Sequence, residues 1–203
     1  NLNPIKKQKF LAKIGYNNKK HTIAKEEDDM HKYKGVIFDL DGTLVNSLED
    51  LIDSCNAILK YNRFPTYSYE EGKKLIGRGL RNLVRDAIPE KYREDDKFID
   101  ELTEMLKSEY AANYKKKTKP YPGITKLLDY LEAHQIPYSI CTNKPDVAAK
   151  SLVHALFPDY HFVDVIGFTR DDLRKPNPTT TLKLAEKMGV KAKDCLYVGD
   201  STI

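Results

Sequence analysis

The stretch Gly35-Val36-Ile37-Phe38-Asp39-Leu40-Asp41-Gly42-Thr43-Leu44-Val45 decides the reading of this chain. Its first half is short, apolar and rich in β-favouring residues, which predicts a buried strand over 35–40. Its second half places two carboxylates, a glycine and a hydroxyl where that strand ends. An Asp-x-Asp pair alone says little, because turns are full of aspartates. The Gly42-Thr43 that follows an apolar strand makes the run much more informative.

Working outward, the pattern turns helical from Ser47. Leu48, Leu51, Ile52, Cys55, Ile58 and Leu59 fall on one helix face, and Ser47 is placed to cap it. From about 68 to 114 the pattern is again helical. Phe98, Leu102, Met105 and Leu106 space as a core-facing stripe. Pro120-Tyr121-Pro122-Gly123 then breaks the chain. Beyond it, helix and strand alternate. Helix is expected over 124–134, strand over 136–141, helix over 145–156 with Pro145 at an early helical position, strand over 162–166, helix over 178–188 and strand over 195–198. Strands alternating with helices predict an α/β fold, a parallel Rossmann-like sheet with helices on both faces. Ligands of such sheets gather at the carboxyl ends of the strands.

Four polar clusters fall at those ends. Asp39, Asp41 and Thr43 end the first strand, and Thr142-Asn143 follows the second. Lys175 lies in the loop after the third, and Asp200 follows the fourth. One rim would then collect carboxylates, a lysine and hydroxyl or amide donors. That set suits phosphate: a carboxylate nucleophile, carboxylates for a hard divalent cation, and donors for phosphoryl oxygens.

The run Phe38-Asp39-Leu40-Asp41-Gly42-Thr43-Leu44-Val45 resembles the first motif of the haloacid dehalogenase superfamily. Thr142-Asn143 resembles its second motif, Lys175-Pro176 its third, and Gly199-Asp200-Ser201 the start of its fourth. The resemblance spans about residues 34–203. It implies a core of residues 33–46 and 119–203 and an inserted all-helical cap over 47–118. Within that cap, Ile76-Gly77-Arg78-Gly79-Leu80 is similar to the substrate-specificity loop of phosphoglycolate phosphatase-like members. The Gly77-x-Gly79 pair is no dinucleotide fingerprint, since Asn82 stands at the third glycine position.

The resemblance implies a Mg²⁺-dependent phosphatase acting on a small phosphorylated metabolite. Asp39 would attack phosphorus and form an aspartyl-phosphate. Asp41 would serve as general acid and then base. Lys175 would offset charge, and Thr142, Asn143 and Thr43 would bind phosphate. The metal set would be Asp39, Asp41 through its backbone carbonyl, and Asp200. Arg78 and Gly79 would set specificity, with Arg78 either meeting a substrate carboxylate or distal phosphate or simply standing exposed at a helix start. An acid at position 41 favours phosphate esters over halide substrates, since a halide leaves without a proton. A phosphomutase, pyrophosphatase or nucleotidase on the same core, or a catalytically impaired fragment, stays open. The family's fourth motif continues to a second acid beyond Ile203. Weaker metal binding and an exposed sheet edge at 195–198 are the expected consequences.

Composition narrows the partners. The net charge is +4, but residues 1–34 hold nine lysines against four acids, or +5, which leaves −1 for the rest. With little apolar periodicity, residues 1–32 read as a solvated, disordered extension, and 1–29 as dispensable. Nucleic acid is therefore not expected as a partner. No apolar run reaches the roughly 18 residues of a membrane span, and no signal peptide is evident. Three scattered cysteines fit a reducing, cytoplasmic setting. Nothing in the sequence indicates the oligomeric state.

Overall fold

The structure, a computed structural model, describes residues 33–76 and 79–200. The expectations for residues 1–32, for Gly77 and Arg78, and for Ser201 lie outside the described residues. The chain divides into two compact units. One holds residues 33–45 and 120–200, the other residues 46–119.

The first unit is built on a four-stranded parallel sheet. Its strands are β1 (Gly35–Phe38), β4 (Tyr138–Pro145), β5 (Val165–Phe168) and β6 (Cys195–Val198), in the order β5-β4-β1-β6. Val36 pairs with Tyr138 on one side and with Leu196 on the other. Among the described residues, three α-helices belong to this unit: α5 (Ile124–Ala133), α6 (Asp146–Leu156) and α7 (Thr179–Lys187). Ile37 packs in a cluster with Cys141, Leu184, Ala185 and Cys195. Its neighbours Val36 and Phe38 point to the opposite face and are just as buried. A strand buried on both faces needs a layer on each, which is why β1 carries no polar alternation. Each such fully buried side chain contributes about 2 kcal/mol. Among the described residues β6 is an edge strand. A separate two-stranded sheet pairs β2 (Val45–Asn46) with β3 (Lys119–Pro120).

The second unit holds α1 (Leu48–Tyr61), α2 (Tyr69–Leu75), α3 (Leu80–Ala87) and α4 (Asp96–Asn113). Its core joins Cys55, Ile58 and Leu59 of α1 to Leu83 and Val84 of α3 and Ile99, Leu102 and Leu106 of α4. Phe64, Tyr92 and Phe98 close one end, their ring centroids 5.3–6.3 Å apart. Ser68 and Glu71 form a reciprocal capping box at α2. The buried carboxylate of Asp50 accepts from the backbone N–H groups of Lys117 and Thr118 and from the Thr118 hydroxyl at 2.7–3.1 Å. This network ties the end of the unit back to its first helix.

Four local expectations need correction. Ser47 stands at the start of α1 but makes no side-chain cap bond; its backbone is not extended, and the Asn46 side chain instead accepts from Leu48 N–H at 3.3 Å. The second strand of the alternating half does not end at Cys141. It continues to Pro145, because a bulge lets Pro145 pair with Phe168. Thr142 and Asn143 are therefore strand residues, and Pro145 precedes α6 instead of beginning it. The following strand starts at Val165, not Phe162. Phe162 is held edge-on against Tyr138 at 4.8 Å, as a packing anchor outside the strand.

Candidate active site

Asp39 follows directly on β1, its N–H donating to Val198 O of β6 at 2.8 Å. That bond fixes the aspartate where two parallel strands end together. One carboxylate oxygen accepts from Leu40 N–H at 2.7 Å, and the other lies 2.7 Å from Lys175 Nζ. The side chains of this pair are 12% and 14% exposed. Burial raises the Asp39 pKa above the ordinary aspartate value. The positive charge and hydrogen bond of Lys175 and the Leu40 N–H offset this in part, and the charge of Asp200 adds to the rise.

Lys175 is held at every hydrogen of its ammonium group. Besides Asp39, it donates to Cys141 O at 3.1 Å and to the Tyr197 hydroxyl at 3.0 Å. Its backbone is held as well. Lys175 N–H donates to Asn143 Oδ1 at 2.9 Å, and Asn143 Nδ2 donates to Lys175 O at 3.3 Å. The side-chain amide of Asn143 thus serves to place the lysine. Tyr197 was not singled out from sequence. Its ring lies beside the ammonium, and burial, followed by the negative charge of Asp39, keeps its hydroxyl protonated.

The turn after β1 shapes the rest. Thr43, Leu44 and Val45 all donate their N–H groups to Leu40 O, which curls residues 40–45 into a tight loop. Gly42 sits in it at φ 78°, a conformation that a side chain disfavours. A Cβ there would also lie 2.5 Å from Asp200 Oδ2. Thr43 is 1% exposed, accepts from Asp200 N–H at 3.1 Å and donates to its carboxylate at 3.4 Å. It therefore joins the β1 turn to the β6 loop.

Asp41 faces a partner that the sequence reasoning missed. Lys144 Nζ lies 3.1 and 3.2 Å from its two carboxylate oxygens. The Lys144 side chain is 2% exposed and that of Asp41 34%. The signal was available in outline: Lys144 lies two residues beyond Thr142, where an extended strand returns a side chain to the same face. Thr142 itself is buried, and its hydroxyl accepts from Lys144 N–H at 3.2 Å. Asp39, Asp41, Thr43, Thr142, Asn143, Lys175 and Asp200 all belong to the first unit. Gly79 belongs to the second, at φ 87° ahead of α3, with nothing within 4 Å of the position a Cβ would take.

The donor chemistry suits a small hard cation. The negative charge of Asp200 adds to the cost of ionising Asp39, and the Gly42 turn leaves the Asp200 carboxylate free of an intruding Cβ. Oxygen ligands of this kind fit Mg²⁺. The Asp41 carboxylate is turned to Lys144. Among the described residues no group of three or more His, Cys, Asp or Glu side chains forms a cation cluster.

The profile of the haloacid dehalogenase-like hydrolase family matches residues 36–203, and the chain belongs to that family. Within it the resemblance is to phosphoglycolate phosphatases. That of Rhodospirillum rubrum is 36% identical over 174 residues, covering 83% of this chain and 72% of the relative. That of Agrobacterium fabrum is 32% identical over 166 residues, covering 81% and 71%. A solved structure from Lactobacillus delbrueckii, provisionally assigned as a phosphoglycolate phosphatase, superposes with a TM-score of 0.73 at 29% identity. It covers 83% of this chain and 79% of its own. Among the described residues no helix is long and apolar enough to cross a membrane.

Proposed function

We propose that the chain is a Mg²⁺-dependent phosphatase of small-molecule phosphate monoesters, most closely of the phosphoglycolate type, acting through a phosphorylated Asp39. The observation that carries this reading is the buried Asp39–Lys175 contact at 2.7 Å, with Asp41 two residues on and Asp200 close by.

Asp39 is a poorly solvated carboxylate with both oxygens aligned by donors, as a nucleophile towards phosphorus should be. Lys175 offsets the charge that builds on the phosphoryl oxygens as Asp39 attacks. The Thr142 hydroxyl holds a phosphoryl oxygen, while Asn143 and Thr43 serve the site by fixing Lys175 and Asp200. Asp41 gives a proton to the departing oxygen and then takes one from the water that releases phosphate. Asp39, Asp200 and the Asp41 carbonyl would hold Mg²⁺, which would supply charge neutralisation between the anionic nucleophile and the anionic substrate. Arg78 and Gly79 are the proposed specificity residues, and the protein's setting is proposed to be cytoplasmic.

The test is a panel of 2-phosphoglycolate, a sugar phosphate, pyrophosphate and nucleoside monophosphates, with and without Mg²⁺. Turnover of 2-phosphoglycolate above the others, lost in Asp39→Asn and in chelator, is expected. Preferential turnover of pyrophosphate or nucleotides would redirect the substrate. Unchanged turnover in Asp39→Asn would overturn the mechanism.

A further inference from the structure

We propose that Lys144 is the positioning residue for Asp41 in the second half of the reaction, the hydrolysis of the aspartyl-phosphate. This rests on the reading of Asp41 as acid and base given above.

Lys144 is part of β4, inside the sheet, and its side chain is nearly closed to water. Asp41 lies on the turn after β1 and is one-third exposed. Of the two, the lysine is thus the better anchored, and the aspartate takes its direction from it. The contact is bidentate, with both carboxylate oxygens accepting from one ammonium. A carboxylate offers about four lone-pair sites. Lys144 takes one on each oxygen, which fixes the carboxylate plane relative to β4.

A carboxylate held in that way is set to accept a proton. In hydrolysis, the oxygen of water forms a bond to phosphorus as the bond from phosphorus to the Asp39 oxygen breaks. One water proton passes to Asp41, inorganic phosphate leaves, and Asp39 is restored as a carboxylate. The attacking water has no binding determinants beyond the groups around it, so the direction of the Asp41 lone pair decides how often it is aligned. Formation of the phosphoenzyme uses Asp41 as well, but as a neutral acid whose partner, the leaving oxygen, is already held in the bound substrate. It therefore leans less on the Lys144 ammonium than the alignment of a free water does.

The two halves separate kinetically. kcat/KM reports steps through phosphoryl transfer to Asp39, whereas kcat falls when release of that phosphoryl group becomes limiting. Lys144→Met keeps the length and the buried stem while removing the ammonium. It is expected to lower kcat by about tenfold or more, against a general-base contribution of about a hundredfold or more. kcat/KM should stay within about threefold, and acid-quenched enzyme should retain ³²P from labelled substrate as a hydroxylamine-sensitive species. Lys144→Gln, which keeps a donor without the charge, carries the same comparison should the methionine variant fail to fold, and thermal melts of each establish which is used.

Equal falls in kcat and kcat/KM would reduce Lys144 to a structural ion pair and overturn the proposal, as would no change in either. Asp41→Asn, measured alongside, should lower both parameters. If it lowers neither, the acid–base reading of Asp41 fails first; if it lowers both while Lys144→Met shows no split, only the role of Lys144 fails.

Discussion

Asn143 grips the backbone of Lys175 with both ends of its side-chain amide, accepting from Lys175 N–H at 2.9 Å and donating to its carbonyl at 3.3 Å. The lysine that meets Asp39 is thereby anchored to the central strand of the site by a residue 32 positions away. Asn143→Ala should leave the ammonium present but poorly placed. Phosphatase activity is expected to fall by about tenfold to a hundredfold, the scale of an ångström-sized misplacement. Combining it with Lys175→Ala should cost little more than Lys175→Ala alone, because both changes remove the same contact. Additive losses would show that Asn143 acts independently of the lysine.

Gly42 has two reasons to be glycine, a φ of 78° and the nearness of Asp200. Gly42→Ala is expected to cost about 1–2 kcal/mol from the left-handed backbone alone. That corresponds to a melting temperature lower by about 2–8 °C for a chain of this size. Because the added methyl would push on Asp200, Mg²⁺ affinity should weaken as well, which calorimetric titration would read.

The raised pKa of Asp39 has a definite sign in stability. Its folded form takes up a proton more readily than its unfolded form. The group therefore favours folding below the unfolded-state pKa and loses that contribution as pH rises through the folded one. At neutral pH, in chelator, Asp39→Asn should melt higher than the parent. The gap should close as the pH is brought down into the carboxylate range. A variant that melts lower at neutral pH would mean that the lost Lys175 contact outweighs the burial cost.

In the helical unit, Asp50 is the acceptor for two backbone N–H groups and the Thr118 hydroxyl. Asp50→Ala would strand these donors, at a cost of about 2–4 kcal/mol. Urea unfolding followed by circular dichroism would measure it. An effect below about 1 kcal/mol would mean that water replaces the carboxylate.

All three cysteines are free and buried. Burial pushes the Cys55 thiol up to about 11, and burial together with the charge of Asp194 does the same for Cys195. At neutral pH roughly one molecule in ten thousand carries either thiolate. Folded protein should react slowly with Ellman's reagent, and protein in guanidinium should release three equivalents promptly.

The parts that were legible in sequence share a cause. β1 and β6 are short apolar runs ending in Asp and Gly-Asp, and a buried parallel strand leaves that mark directly. The stripe through Ile52, Cys55, Ile58 and Leu59 is likewise a helix face written out at helical spacing, and those residues are buried. The errors arose where a distant partner sets the local structure. β4 runs on through polar residues because β5 continues beside it past a bulge. Phe162 has strand propensity but is recruited by Tyr138 and Phe157. The same limit applied at the site. Lys144 and Tyr197 gain their roles from Asp41 and Lys175, which lie 103 and 22 positions away in the chain. No local pattern could announce those pairings.

The continuation of β4 through Thr142, Asn143 and Lys144 makes the strand a reading frame. Adjacent residues answer to different loops: Asn143 to the segment after β5, Lys144 to the turn after β1. Loss or gain of one residue between Cys141 and Pro145 would leave the composition of the site nearly intact yet exchange its wiring. A gain ahead of Asn143 would present the amide to Asp41, and a loss there would present the ammonium to the Lys175 backbone. A single-residue change of length here would be nearly silent in sequence composition yet fatal to the chemistry.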